Sequence, residues 1–143
     1  MSGGSGPIRA RAAWLMRLLV GAGLVGAGCL KARDPAAFSL AIERYRLVGE
    51  TLAYAAGHYL PWVEIVAGGA LVSGRGRRGA WRVALMLAVV FLGAVASAWA
   101  RGLDIDCGCF GAGQAIDGWT VARNGALLGL VLVGGWLDRW GAK

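Results

Sequence analysis

The sequence predicts an all-α integral membrane protein, a four-helix bundle with an interfacial helix between spans one and two, and three observations carry that expectation. The first is composition. Of 143 residues only 16% are charged, while 57% are hydrophobic and 25 are glycine; a soluble domain carries charge at about a quarter of its positions. A core of this size cannot hide so much apolar surface, so lipid must take the surplus. The second is patterning. Four apolar stretches, near residues 12–30, 51–72, 83–100 and 119–137, are each long enough, at about 1.5 Å per residue, to cross a hydrocarbon layer about 30 Å thick. The third is the placement of charge. The net charge is +7, yet the arginines fall in flanks and connections between apolar runs. That marks membrane orientation rather than a basic face for nucleic acid, and no nucleic-acid partner is expected.

In chain order, residues 1–11 read as a cytoplasmic amino-terminal tail and residues 12–140 as a single four-span membrane domain. The first span, Ala12 to Leu30, outruns the apolar region of a signal peptide, contains Arg17 and shows no small-x-small cleavage site, so it reads as retained. Residues 31–50 follow, KARDPAAFSLAIERYRLVGE. Here Phe38, Leu40, Ile42, Tyr45 and Leu47 are interleaved with Glu43, Arg44 and Arg46, predicting a helix with one apolar side lying at the interface. The second span, Thr51 to Val72, contains Pro61, which should kink it and free a carbonyl. The third and fourth spans are Val83 to Ala100 and Trp119 to Leu137. Their many small residues suit close helix packing in lipid.

Orientation follows from the arginines. The connection SGRGRRGAWR carries Arg75, Arg77, Arg78 and Arg82 without an acid, and the amino end adds Arg9, Arg11 and Arg17. The positive-inside rule places both on the cytoplasmic side, and the carboxy terminus with them. The other two connections mix in Asp34, Glu43, Glu50, Asp104, Asp106 and Asp117 and read as external. Trp14, Trp81, Trp99, Trp119, Trp136 and Trp140, near span ends, are expected to anchor at the two interfaces.

On this topology all three cysteines come out on one side, which in a bacterium is the oxidising, periplasmic side. Cys29 ends the first span, and Cys107 and Cys109 sit in LDIDCGCFGAG between the third and fourth. Bridging residues two apart closes a small, strained ring, and strained disulfides belong to the labile or catalytic class. So short a loop also removes little unfolded-state entropy, which argues against a purely stabilising bridge. Exchange chemistry needs a thiolate and a second sulfur within reach, and Cys-x-Cys supplies both. Asp104 and Asp106 would raise a neighbouring thiol's pKa and Arg101 would lower it, leaving the net shift open. The alternatives are a soft-metal site at Cys107 and Cys109 and inert thiols. Cys29, alone in a Gly-Ala helix, reads first as a small buried hydrophobe and second as a participant in the chemistry.

Glu64 lies inside the second span, where a central charge costs about 2.5–3.5 kcal/mol on translocon scales, so it is expected to be paired or functional. A proton route, a quinone contact and a structural ion pair each account for it. The candidate partners are Arg17, Arg82, Arg123 or neighbouring hydroxyl and amide groups. Arg123 and Asn124 read as interfacial snorkelling residues.

These residues together resemble the MauE family of methylamine-utilisation proteins, within the DoxX-like group of four-helix membrane proteins. The resemblance runs over most of the chain. It rests on Lys31 with Asp34-Pro35 and Phe38, on Tyr45, on Pro61-Trp62 with Glu64, and on Arg101-Gly102 leading to Asp106-Cys107-Gly108-Cys109-Phe110-Gly111, then Arg123-Asn124. It implies a redox-associated protein of the bacterial inner membrane that supports disulfide formation or maturation of an exported enzyme. The disulfide-rich small subunit of methylamine dehydrogenase is the type of client implied, with a thioredoxin-like periplasmic protein as partner. Cys107 and Cys109 would be catalytic, Cys29 a weaker candidate, and Glu64, Arg101, Lys31 and Asp106 supporting groups. The chain is also similar in layout to the quinone-linked DsbB and vitamin K epoxide reductase families, but those use two cysteine pairs. One pair plus Cys29 points to an external thioredoxin-like donor and leaves a quinone acceptor open. Two readings of other classes stand beside this one: a membrane carrier for a soft metal ion, and a non-catalytic assembly subunit.

Overall fold

A computed structural model describes residues 5–105 and 115–140. The described residues form five helices and no strand: α1 (Ser5–Ala32), α2 (Pro35–Arg44), α3 (Glu50–Ser73), α4 (Arg77–Ala100) and α5 (Gly118–Trp140). Among them α1, α4 and α5 are long and apolar enough to cross a membrane. The four apolar stretches of the sequence thus reduce to three that meet both criteria. α3 matches them in length at 24 residues, but His58, Pro61 and Glu64 dilute its apolar character. α1 is longer than its apolar stretch, starting at Ser5, and its 28 residues reach about 42 Å at 1.5 Å each.

The turn into α2 is written in its first residues. Asp34 is the N-cap, its carboxylate accepting from the Ala37 N–H at 2.9 Å, and Pro35 occupies the first turn. There the missing proline N–H costs nothing, because that donor has no intrahelical partner anyway. α2 turns Phe38 and Ser39 inward toward α3, with Tyr45 buried just beyond its last turn. Phe38 and Ile42, with the C-cap Tyr45, follow the i, i+4, i+7 rhythm of one helical face; Leu40 falls off it, Leu47 lies beyond the helix, and both are exposed.

The bundle is built around the α1–α3 pairing, its most extensive contact. Small residues bring these backbones together. A Cβ added at Gly28 would lie 2.7 Å from the Pro61 carbonyl oxygen, and one at Gly68 would lie 2.5 Å from the Gly21 carbonyl oxygen. Neither obstruction is a side chain that could swing aside, so at both points only glycine fits. α4 packs on α5, and α5 on α1.

Successive long helices alternate in direction, which gives the bundle two distinct ends. At one, Asp138 near the end of α5 accepts the Trp81 indole N–H at 3.2 Å and pairs with Arg77 at 3.5 Å and Arg17 at 4.0 Å. Trp81 is therefore an internal residue, 7% exposed, and not the interfacial anchor expected of it. Its ring lies against Gly134, and its N–H has found a buried carboxylate in place of the headgroup region. Trp14, Trp99, Trp119 and Trp136 do face outward. At the other end, the Arg101 guanidinium donates to the Tyr45 carbonyl and, at 3.3 Å, to that of Ser97, tying the close of α2 to the close of α4. Val95, Ala98 and Tyr45 form a small core there, with Ile105 and Ile116 against it.

Candidate functional site

The polar centre of the bundle is an ion pair. Lys31 Nζ lies 2.6 Å from Glu64 Oε1, and the two side chains are 4% and 1% exposed. Its construction starts in the sequence of α1. The helix does not stop at the last apolar residue, Leu30, but continues through Ala32, and Cα–Cβ bonds tilt toward a helix's amino end. The Lys31 stem therefore runs back into the bundle instead of out toward water. One turn earlier, Gly28 lets α3 approach until Glu64 and Pro61 lie against the α1 backbone.

Two rings complete the ammonium's surroundings. Lys31 Nζ stands 4.5 Å from the Phe91 ring centroid on α4 and 5.2 Å from that of Phe38 on α2, within the range at which a ring face attracts a cation. The Asp34-Pro35 cap that starts α2 is thus also what brings Phe38 over Lys31. The partner of Glu64 is this lysine and none of the arginines named from the sequence; Arg17 is engaged with Asp138 instead.

One side of the pair opens on a cavity of about 290 Å³ between α1, α3, α4 and α5. Lys31, Glu64 and Asn124 supply its polar groups, and leucine, valine, alanine and Phe91 the rest. Asn124, expected to snorkel toward an interface, is buried and lines this cavity, its amide donating to the Thr120 carbonyl at 2.8 Å. Glu64 Oε2 is buried without a hydrogen-bond partner among the described residues.

The other sequence-derived residues fall as follows. Cys29 is exposed on the outer face of α1, not a buried hydrophobe; Gly28 takes the inward position, one residue and about 100° away. Arg101 serves backbone carbonyls, as described above. Cys107, Cys109 and Asp106 lie outside the described residues. The residues flanking them are held together, Ile116 N–H donating to the Ile105 carbonyl at 3.2 Å. Just beyond, Asp117 caps α5: its carboxylate accepts from the Thr120 N–H and hydroxyl, both at 2.8 Å. The Thr120 backbone N–H is the main reason that the Asp117 carboxyl is held below the usual aspartate range. Among the described residues no three His, Cys, Asp or Glu side chains gather as a metal-binding group.

A fold that is all-helical among the described residues, with three spanning-length apolar helices and a buried ion pair between α1 and α3, defines a multi-pass helical membrane protein. The profile of one family, methylamine utilisation protein MauE, matches residues 9–137. That is most of the chain, and the protein belongs to the MauE family. No curated protein and no solved structure matches it.

Proposed function

We propose that this chain is a thiol–disulfide redox component of the bacterial inner membrane that supports disulfide formation in, or maturation of, an exported enzyme of methylamine utilisation. α1, α3, α4 and α5 are its four spans, and α2 lies at the interface. Both termini are cytoplasmic and the 106–114 connection is periplasmic. α3 crosses despite its polar residues because Lys31 neutralises Glu64 inside the bundle.

The observation that carries the reading is the Cys107-Gly108-Cys109 spacing, on a connection that starts from the bundle end opposite the arginine-rich turn between α3 and α4. A thiolate of a thioredoxin-like partner attacks the Cys107–Cys109 disulfide, a mixed disulfide forms, and the partner's second thiolate resolves it. The partner leaves oxidised and the membrane pair is left as two thiols. Each exchange breaks one S–S bond and makes one, so two electrons and two protons pass without a free oxidant at that step. Cys29 faces outward from α1, so the pair acts without it, while Arg101 and the Lys31–Glu64 pair fix the helices that carry the connection.

Capture of a mixed disulfide tests this. Run in reverse, the lone thiolate left in Cys107→Ser or Cys109→Ser attacks the disulfide of an oxidised partner and has no neighbour to complete the exchange, so one of the two variants is expected to hold the partner covalently until dithiothreitol is added. Normal client maturation with Cys107→Ser, and no adduct with either variant, points to an assembly subunit. Stoichiometric metal lost on Cys109→Ser points to a carrier.

A further inference from the structure

We infer that the cavity beside Lys31 and Glu64 is a binding site for a neutral, lipid-soluble molecule with an apolar body and a hydroxyl head, and that Glu64 Oε2 accepts a hydrogen bond from that hydroxyl.

Four features of the site lead there. The first is the unpartnered oxygen. Oε1 of Glu64 is engaged by Lys31 at 2.6 Å, while Oε2 is buried without a partner among the described residues, on a side chain 1% exposed that lines the cavity. A buried acceptor left unsatisfied costs about 1–3 kcal/mol, and more when charged. A donor arriving through the cavity recovers that cost. The second is charge. Lys31 and Glu64 cancel, so an ion entering this apolar cavity sheds its water and meets no net opposite charge. A neutral ligand is spared that cost.

The third is size. A dry apolar cavity of about 150 Å³ holds a benzene ring. The 290 Å³ here takes a ring-sized head and the start of a chain. The fourth is access. Leu19 and Leu127 line the cavity and are also 60% and 38% exposed on the outer faces of α1 and α5. The cavity therefore opens sideways between helices that face lipid, and a ligand reaches it from the bilayer. Lys31, with two N–H donors beyond the one given to Glu64, accommodates a head that also carries an acceptor oxygen.

This inference stands on the cavity and does not depend on Cys107 or Cys109. The test uses the full chain in nanodiscs, with binding read by native mass spectrometry. The probes are decyl-hydroquinone, its dimethyl ether, and hexadecanol; the Cys107→Ser/Cys109→Ser variant is run in parallel, so that loss of redox function and loss of binding are separate results. One hydroquinone bound per chain is expected, at least tenfold tighter than the ether, equally in the cysteine-free loop. Gly23→Leu supplies the second arm. Gly23 lines the cavity and its Cβ would meet nothing within 4 Å, so the leucine fills space without disturbing the ion pair and is expected to abolish binding. Hexadecanol binding as well as the hydroquinone identifies an aliphatic alcohol as sufficient; failure of hexadecanol alone identifies an aromatic diol. Equal affinity for hydroquinone and ether, or binding that survives Gly23→Leu, or no binding of any probe, overturns the inference.

Discussion

Replacing Lys31 by methionine keeps an unbranched apolar stem, one atom shorter, while removing the ammonium. In the folded protein that leaves the Glu64 carboxylate buried with neither oxygen partnered, since Oε2 already lacks one. Truncating one member of a buried pair costs about 3–5 kcal/mol, and loss of the contact with Phe91 at 4.5 Å adds about 0.5–2 kcal/mol. At about 1.4 kcal/mol per factor of ten, the folded population of Lys31→Met falls more than a hundredfold relative to the unfolded. Glu64→Leu alone strands the ammonium and is expected to cost a similar amount. The double variant removes both charges together, and apolar replacement of a whole pair is commonly neutral or stabilising. It should therefore be more stable than either single variant. The assay is a double-mutant cycle of equilibrium unfolding in mixed micelles, with the Phe91→Leu background as a second axis. Strictly additive losses, or single variants as stable as the parent, would refute the claim that the pair is a desolvated, mutually dependent unit.

Three further outcomes follow from the geometry. Gly68→Ala places a Cβ 2.5 Å from the Gly21 carbonyl oxygen and 2.9 Å from the Val25 nitrogen, and should cost about 1–3 kcal/mol through overpacking. Gly69→Ala, with nothing within 4 Å, should be neutral or slightly stabilising; thermal unfolding of the two variants compares them. Asp138→Ala leaves Arg17 and Arg77 without their carboxylate and the Trp81 indole without its acceptor. A loss of about 1–3 kcal/mol is expected, with a red-shifted Trp81 fluorescence that Asp138→Asn partly restores. The Asp117 cap is pH-dependent. Because its folded pKa is depressed, its stabilising effect is complete above the ordinary aspartate range and is lost as pH falls through the folded value. The protection factor of the Thr120 amide against hydrogen exchange should fall over that acid range, and in Asp117→Asn that pH step should be absent.

The helical plan was largely legible in the sequence, because apolar run length and the Asp34-Pro35 start signal are local features. Even there, the interleaved apolar residues of 31–50 do not all belong to one helix: α2 ends at Arg44 and Leu47 lies beyond it. Tertiary pairing was less legible. Lys31 sits just past Leu30 and looks like a flanking residue by position. Only the continuation of α1 through Ala32 and the backward tilt of its Cβ bring it 33 positions along the chain to Glu64. The resemblance had singled out Lys31, but nothing in the spacing joined it to Glu64. Asn124 and Trp81 were misassigned for a related reason. Polar and aromatic residues near helix ends read as interfacial by default; Trp81 is drawn inward by Asp138 on another helix, and Asn124 satisfies its amide on the Thr120 carbonyl of its own helix while lining the cavity. The cysteine spacing is a different case: Cys107-Gly108-Cys109 lies outside the described residues, and the exchange chemistry proposed for it rests on the sequence alone.

The central claim is that these two sulfurs exchange, and the most direct measurement is their redox state in native membranes. Thiols are trapped by acid, alkylated with a mass tag before and after reduction, and read in a Cys29→Ser background. The account predicts a reducible Cys107–Cys109 bond that converts to two taggable thiols with dithiothreitol and also when a reduced thioredoxin-like partner is supplied. Two free thiols that stay free under oxidising conditions would contradict it.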